Sequence, residues 1–280
     1  MITDQQTNTV YFSNLLPEEF PNEFQGLAKI IKDAGYKVKL LVGTEDFFCR
    51  DFMPVQVSEK DFVQFVFRPE AYLKGEELSF LTDPFQVELM TPDLIKPRYS
   101  PIILDGGNVI KGEGKAIITD RVLNDNRYQF PNDEAIIERL EFDLKCKVII
   151  IPEYPNEATG HADGLIRFVD ANTVFINDTQ TEPEKEWLTK LLKVLEENNL
   201  KYIKLPCEVD ENMETAEGLY LNYLHVGDLI VVPQFGFEAD LKALKIITQV
   251  FPDCKVLPFK ANWIAKEGGV FSCMSWGVKN

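Results

Sequence analysis

Segments that read as amphipathic helices begin near residues 132, 183 and 239 of this 280-residue chain, each followed by a strand-rich stretch, so the same kind of unit recurs at a near-constant interval. A regular period of that kind points to repeated β/α units rather than to one irregular fold. The helices are expected over Asn22 to Ala34, Asn132 to Phe142, Pro183 to Asn198 and Ala239 to Val250, where apolar residues fall near i, i+3, i+4 and i+7. Thr181 is a candidate N-cap for the third, with Pro183 in its first turn. Between them lie β-rich runs at Val10 to Leu15, Val38 to Val42, Phe62 to Phe67, Ala116 to Val122, Val148 to Ile151, Leu165 to Val169, Thr173 to Asn177, Leu219 to Leu224 and Asp228 to Val232.

Turns at Val169 to Asn172 and at Val226 to Asp228 join two pairs of these runs as hairpins, so the order is not a plain parallel βαβ succession. The stretch from Glu70 to Ser100, with prolines at 84, 92 and 97, reads as a helix fragment and loops, suited to a lid or an insertion. No Pro/Gly/Ser linker interrupts the chain, which is read as one domain over 1–280.

Four short segments carry reactive groups at a similar interval: Cys49-Arg50-Asp51, Asp105-Gly106-Gly107-Asn108, Gly160-His161-Ala162-Asp163 and Gly268-Gly269 leading to Cys273. The steps from Asp51 to Asp105 and from Asp105 to His161 are nearly equal, and the step from His161 to Cys273 is twice the second. One fifth of the chain has the same length as a single step, about 56 residues, so the positions fit five repeats. Five repeats around an axis would bring these positions to one cavity. Taken singly, a cysteine is usually a small buried hydrophobe, Gly-Gly after an acid a turn, and Arg-Asp a surface pair. One Cys, one His and three acids in register make a constellation with chemistry.

The charge balance agrees with a cationic ligand. With 45 acidic against 29 basic residues the formal charge is −16, which disfavours nucleic acid and anionic membrane, both of which need clustered Lys and Arg. Five scattered cysteines without CxxC spacing argue against disulfides and structural zinc, and two histidines are few for a His-rich metal site. Neither metal nor cofactor is expected. A polar N-terminus and the lack of a long apolar run lead to an expected cytoplasmic location.

Together, Arg50-Asp51 with Pro54, the Asp-Gly-Gly-Asn segment, Gly160 to Asp163 and the terminal Gly-Gly-x-x-x-Cys resemble the guanidine-modifying enzymes of the pentein fold. That group includes agmatine deiminase, arginine deiminase, bacterial-type peptidylarginine deiminases and dimethylarginine dimethylaminohydrolase. The resemblance runs from about Phe47 to Ser275 and is nearest the agmatine deiminase branch through Asp120 to Arg127 and Tyr220 to Tyr223. It implies an α/β fold, a five-bladed α/β propeller with pseudo-fivefold repeats of about 56 residues, in agreement with the spacing.

The same resemblance implies a hydrolase that releases ammonia and leaves a ureido product, with a role in putrescine biosynthesis. Cys273 would be the nucleophile, His161 the proton carrier, Asp105 its acidic partner, and Asp51 and Asp163 the guanidinium clamp. By its spacing, one repeat length before Cys273, Glu217 reads either as a contact to a substrate amine or as a surface acid. The expected partner is a small cationic guanidine, with no nucleic acid and no membrane; a homodimer is left open. Ser272 stands where agmatine deiminases and amidinotransferases usually have His, and Met274-Ser275 looks more like arginine deiminase. An amidinotransferase, an arginine dihydrolase and a non-catalytic pentein that binds a partner are the alternatives.

Of the remaining candidates, His225 and Cys49 read as structural, and Trp263 and Trp276 as pocket walls or core. Arg121, Arg127 and Arg167 are the candidate receptors should the substrate carry a carboxylate.

Overall fold

A computed structural model describes residues 1–69, 73, 75–155, 159–178, 182–209 and 215–280, without the side chains of 75–77 and 182–184. Thr181, the expected N-cap, lies outside these. In chain order the strands are β1 (Thr9–Ser13), β2 (Lys37–Leu41), β3 (Val55–Ser58), β4 (Asp61–Val66), β5 (Arg98–Ile103), β6 (Ile110–Gly112), β7 (Lys115–Thr119), β8 (Lys147–Ile151), β9 (Ile166–Phe168), β10 (Thr173–Asn177), β11 (Lys201–Leu205), β12 (Leu224–Val226), β13 (Leu229–Gln234), β14 (Lys255–Lys260) and β15 (Trp276–Val278). The helices are α1 (Leu15–Glu19), α2 (Pro21–Asp33), α3 (Cys49–Phe52), α4 (Pro84–Met90), α5 (Arg121–Asn126), α6 (Asp133–Leu144), α7 (Glu182–Glu197), α8 (Ala239–Val250) and α9 (Asn262–Ala265).

These strands form five sheets of three: β15-β1-β2, β3-β4-β5, β6-β7-β8, β9-β10-β11 and β12-β13-β14. The middle strands start at Thr9, Asp61, Lys115, Thr173 and Leu229, close to the expected period. Each middle strand is antiparallel to the first strand of its sheet. In four sheets the pairing to the third strand is parallel. A parallel return needs a crossover, and α2, α4, α6 and α8 lie in those connections. The expected fold class, α/β with five repeats, is therefore observed sheet by sheet.

Residues 1–3, 51–79 and 95–204 make one compact unit, and residues 4–50, 80–94 and 205–280 a second. The first holds the sheets of β3 to β11 over two apolar cores, one including Val63, Ile118 and Leu140, the other Ile117, Ile166 and Leu191. The second holds the other two sheets around a core that includes Phe12, Leu27, Val231 and Phe271.

Local hydrogen bonds and tight turns shift several of the expected boundaries. The run expected as strand to Val122 ends at Thr119, whose N–H is taken by Asn108 Oδ1 at 2.9 Å, and Arg121 and Val122 belong to α5. The run expected as strand from Leu219 is a 3-10 turn over Tyr220–Asn222, and the strand begins at Leu224. Residues 268 to 275, strand-like in sequence through Val270 and Phe271, are turns, closed by Met274 N–H to Val270 O at 3.2 Å and Ser275 N–H to Ser272 O at 3.2 Å. β11 and β14 escape the apolar pattern because they are edge strands written KYIKL and KVLPFK, with the Lys content that protects an edge. Among the described residues no helix is long and apolar enough to cross a membrane.

Asp143 on α6, wholly buried, ties that helix to β5: it accepts from Arg98 Nη1 at 2.8 Å, Arg139 Nε at 2.7 Å and Ser100 Oγ at 2.7 Å. Asp143→Ala leaves two guanidinium groups facing a buried gap, and breaking such a network costs about 3 kcal/mol. Urea unfolding should show a loss of that size; a loss below about 0.5 kcal/mol would show that the network contributes little.

Candidate active site

In the first unit the repeat spacing becomes direct contact. His161 Nε2 lies 3.1 Å from Asp105 Oδ2, and Gly107 N–H donates to Asp51 Oδ1 at 2.9 Å, each pair 56 residues apart. His161 Nδ1 stands 3.6 Å from Asp51 Oδ1, so the imidazole is held between two carboxylates. Asp163, 6% exposed, is fastened through its N–H to Gly107 O at 3.1 Å. The structure thus gathers Asp51, Asp105, His161 and Asp163.

Each arrives there for a local reason. Asp51 sits on the short helix α3, and Asp105 precedes a 3-10 turn formed by Gly106–Asn108. Gly160 takes φ +67°, a left-handed conformation open to glycine, and its carbonyl accepts from Thr119 Oγ1 at 2.6 Å, which fixes the turn into His161. Gly107 has no room for a side chain: a Cβ there would lie 2.3 Å from Asp51 Oδ1 and 2.7 Å from His161 Nδ1.

Burial works against a charged His161, but the charges of Asp51, Asp105 and Asp163 and the hydrogen bond to Asp105 outweigh it and raise its pKa to about 10. At neutral pH it is an imidazolium, a proton donor already loaded. A pocket beside it is lined by Asp51, Asp105, Asp125, His161, Arg121 and Phe67, among others. The guanidinium of Arg121 faces Asp125 and Glu153 at 3.6 Å each. Arg127 lies over the ring of Tyr128 at 5.1 Å, and Arg167 is buried in β9.

The second unit holds Cys273 in the turn before β15. Its N–H donates to Asn222 Oδ1 at 3.1 Å and its Sγ receives Asn222 Nδ2 at 3.0 Å. Arg50 grips the same turn, its N–H donating to Cys273 O at 3.1 Å and its Nε to Ser272 O at 2.7 Å. In the sequence Asn222 and Arg50 stand only inside motifs, with no role of their own. Neither is a nucleophile or a base, and Asn222 precedes Cys273 by 51 residues, off the register of the repeats.

Glu217, half-buried in this unit, accepts from Asn262 Nδ2 at 2.8 Å. Trp276 packs on Tyr11 and Trp263 on Phe20, so both serve the aromatic packing of this unit. Gly269 is small because Phe48 lies against it, where a Cβ would come within 2.5 Å of the ring. Cys49 is wholly buried, with its thiol donating to Met274 O at 3.1 Å, and His225 is packed on Phe251.

The model of the Porphyromonas-type peptidyl-arginine deiminase family matches residues 7–278. The chain is similar to the agmatine deiminase of Ectopseudomonas mendocina, 28% identical over 211 residues that cover 64% of this chain and 57% of that protein. It thus spans less than two thirds of the length of the curated relatives it matches. The structure of C. jejuni agmatine deiminase superimposes with a TM-score of 0.80 at 17% identity, covering 100% of this chain and 96% of that one. Agmatine deiminase of Enterococcus faecalis gives 0.75 at 18% identity, covering 99% and 94%. These likenesses show a shared fold.

Two outcomes test this geometry. The folded-state pKa of His161 is raised above its ordinary 6.5, so its ionisation stabilises the protein fully below about 6.5, and that contribution is lost as pH rises through about 10. An NMR titration of the His161 ring should have its midpoint near 10, and Asp51→Asn should lower it; a midpoint near 6.5 would contradict the bracketing by carboxylates. Gly107→Ala should leave the circular dichroism spectrum intact while activity falls about 100-fold, since Asp51 and His161 must both move. Full activity in this variant would refute the tight approach.

Proposed function

The chain belongs to the Porphyromonas-type peptidyl-arginine deiminase family, and we propose that it is a cysteine-dependent hydrolase of a small guanidine compound, acting in the manner of an agmatine deiminase. The whole chain, 1–280, is read as one catalytic domain. The observation that carries this reading is His161 held as an imidazolium between Asp51 and Asp105 at the edge of a pocket, in a chain whose Cys273 thiol is gripped by an amide.

A guanidinium is planar, cationic and resonance-stabilised, so its carbon resists attack unless carboxylates fix its N–H groups. Asp51 and Asp163 are assigned that clamp. The Cys273 thiolate then adds to the carbon, forming a C–S bond. His161 gives its proton to the departing nitrogen, the C–N bond breaks and ammonia leaves a cationic thiouronium. Water adds next, His161 now accepting a proton. The C–S bond breaks, the thiolate is restored, the added hydroxyl passes its remaining proton to solvent and a ureido product departs.

Binding of a cation at Asp51 offsets part of the charge that keeps His161 protonated, which helps proton release at the first step and leaves a base for the second. Cysteine acyl hydrolases stabilise an oxyanion with backbone N–H groups. The Cys273 N–H is already committed to Asn222 Oδ1, which fits an electrophile whose leaving atom needs a proton rather than an oxyanion hole.

For the substrate tail, the Arg121 guanidinium lies between two carboxylates, an environment poor for capturing a third. With the charge of −16 this favours a neutral or cationic tail, as in agmatine, over free arginine. Glu217 is assigned to the distal amine.

Incubation with agmatine, arginine and neutral alkylguanidines should give equal amounts of ammonia and ureido product, with agmatine fastest. Asp51→Asn and Asp163→Asn should each reduce kcat/KM about 100-fold or more, each losing a charge-assisted bond to a desolvated guanidinium. Faster turnover of arginine would reverse the substrate assignment. Ammonia without ureido product, or near-normal activity of both variants, would overturn the reaction.

A further inference from the structure

We propose that the pocket beside His161 takes a second class of substrate, short guanidino acids without an α-amine, and that Arg68 is the receptor for their carboxylate. The inference rests on the reading of the chain as a guanidine hydrolase, and it uses a pocket residue to which that reaction gives no task.

The pocket wall carries charge of both signs: Asp51, Asp105 and Asp125 against Arg68 and Arg121, with His161 among them. Most of these groups are already engaged. Asp105 meets His161 Nε2 at 3.1 Å, Asp51 accepts the Gly107 N–H at 2.9 Å, and Arg121 faces Asp125 and Glu153 at 3.6 Å each. Arg68 stands apart: among the described residues its side chain has neither an ion pair nor a hydrogen bond. In a chain with 45 acidic and 29 basic residues an arginine finds a carboxylate easily, and Arg98 and Arg139 each have one. A guanidinium left without an anion on the wall of a pocket is what a carboxylate-bearing ligand requires.

The backbone fixes where that guanidinium starts from. Arg68 is exposed, on the loop that leaves β4, between Phe67 and Pro69, which line the same pocket. Pro69 restricts its predecessor to an extended backbone. The Phe67 ring packs edge-on against Phe52, with 6.0 Å between centroids, and Phe52 follows Asp51 on α3. The loop that carries Arg68 is therefore braced on the helix that carries Asp51.

A guanidino acid is a cation at one end and an anion at the other. Asp51 and Asp163 suit the first end and Arg68 the second, so the mixed charge of the site matches that of the ligand. Free arginine adds an ammonium beside its carboxylate, which weakens the pull of Arg68. The chemistry is that already described: water enters, the C–N bond breaks, and ammonia and a ureido acid leave. Because Arg68 is exposed, water and salt screen it, and its contribution is set at about tenfold.

The test compares γ-guanidinobutyrate with its primary amide, which has the same length and nearly the same shape but no charge on the tail. The protein should turn over both, the acid with the higher kcat/KM, and added salt should bring the two together. Arg68→Gln should lower kcat/KM for the acid about tenfold and leave it no better than the amide. In the same variant kcat/KM for agmatine should rise, since a cation has been removed from the pocket wall. An acid-to-amide ratio that Arg68→Gln does not change would overturn the proposal, as would a protein that turns over agmatine but not the acid. Absence of turnover with every guanidine would refute the proposed function instead. Calorimetric binding of the acid and the amide to both proteins then decides the role of Arg68 alone. Tighter binding of the acid, lost in Arg68→Gln, would support that role, and equal binding of acid and amide would overturn it.

Discussion

The imidazole of His161 hangs between Asp105 and Asp51, and much of the first unit is arranged to keep it there. Each of these carboxylates comes from a different repeat, and the separation between Asp105 and His161 is the repeat length itself. Repetition solves a hard problem in site building. Groups distant in sequence are brought to corresponding ends of neighbouring sheets, so a short turn in each repeat suffices to present one side chain. Gly107 then allows the two repeats to approach until a methyl group would not fit. The result is an imidazole whose protonated form is favoured, at the edge of a pocket lined by three aspartates and two arginines.

A different logic governs Cys273. Its sulfur meets an amide from Asn222, and the peptide groups on either side of it are held by Asn222 and Arg50. Carboxylates near the histidine favour its cation, whereas the side chain that meets the sulfur is neutral. The two candidate groups thus sit in different electrostatic surroundings, one charged and one neutral.

Much of this is legible in the sequence, and what is not has physical reasons. The helix Ala239–Val250 and the strand Thr173–Asn177 have the expected bounds because their patterns are strong and their ends carry turn residues. The five-repeat reading follows from spacing alone. Edge strands β11 and β14 are hidden by the lysines that protect them, and the turn at 268 to 275 passes for a strand because its valine and phenylalanine are core residues on a loop. Asp51, Asp105 and His161 stand out as titratable groups in register. Asn222 does not, since an asparagine announces its function only through the atoms it meets, and those lie 51 residues away.

The central claim is that Cys273 bonds to the carbon of a guanidinium that His161 helps to take apart. Rapid acid quenching of the protein turning over agmatine, followed by peptide mass mapping, tests this most directly. The account predicts an adduct on the Cys273 peptide with the mass of the substrate less one ammonia, and none on the peptides of Cys49, Cys146, Cys207 or Cys254. Turnover of agmatine by a Cys273→Ala protein, or an adduct on another cysteine with Cys273 unmodified, would contradict it.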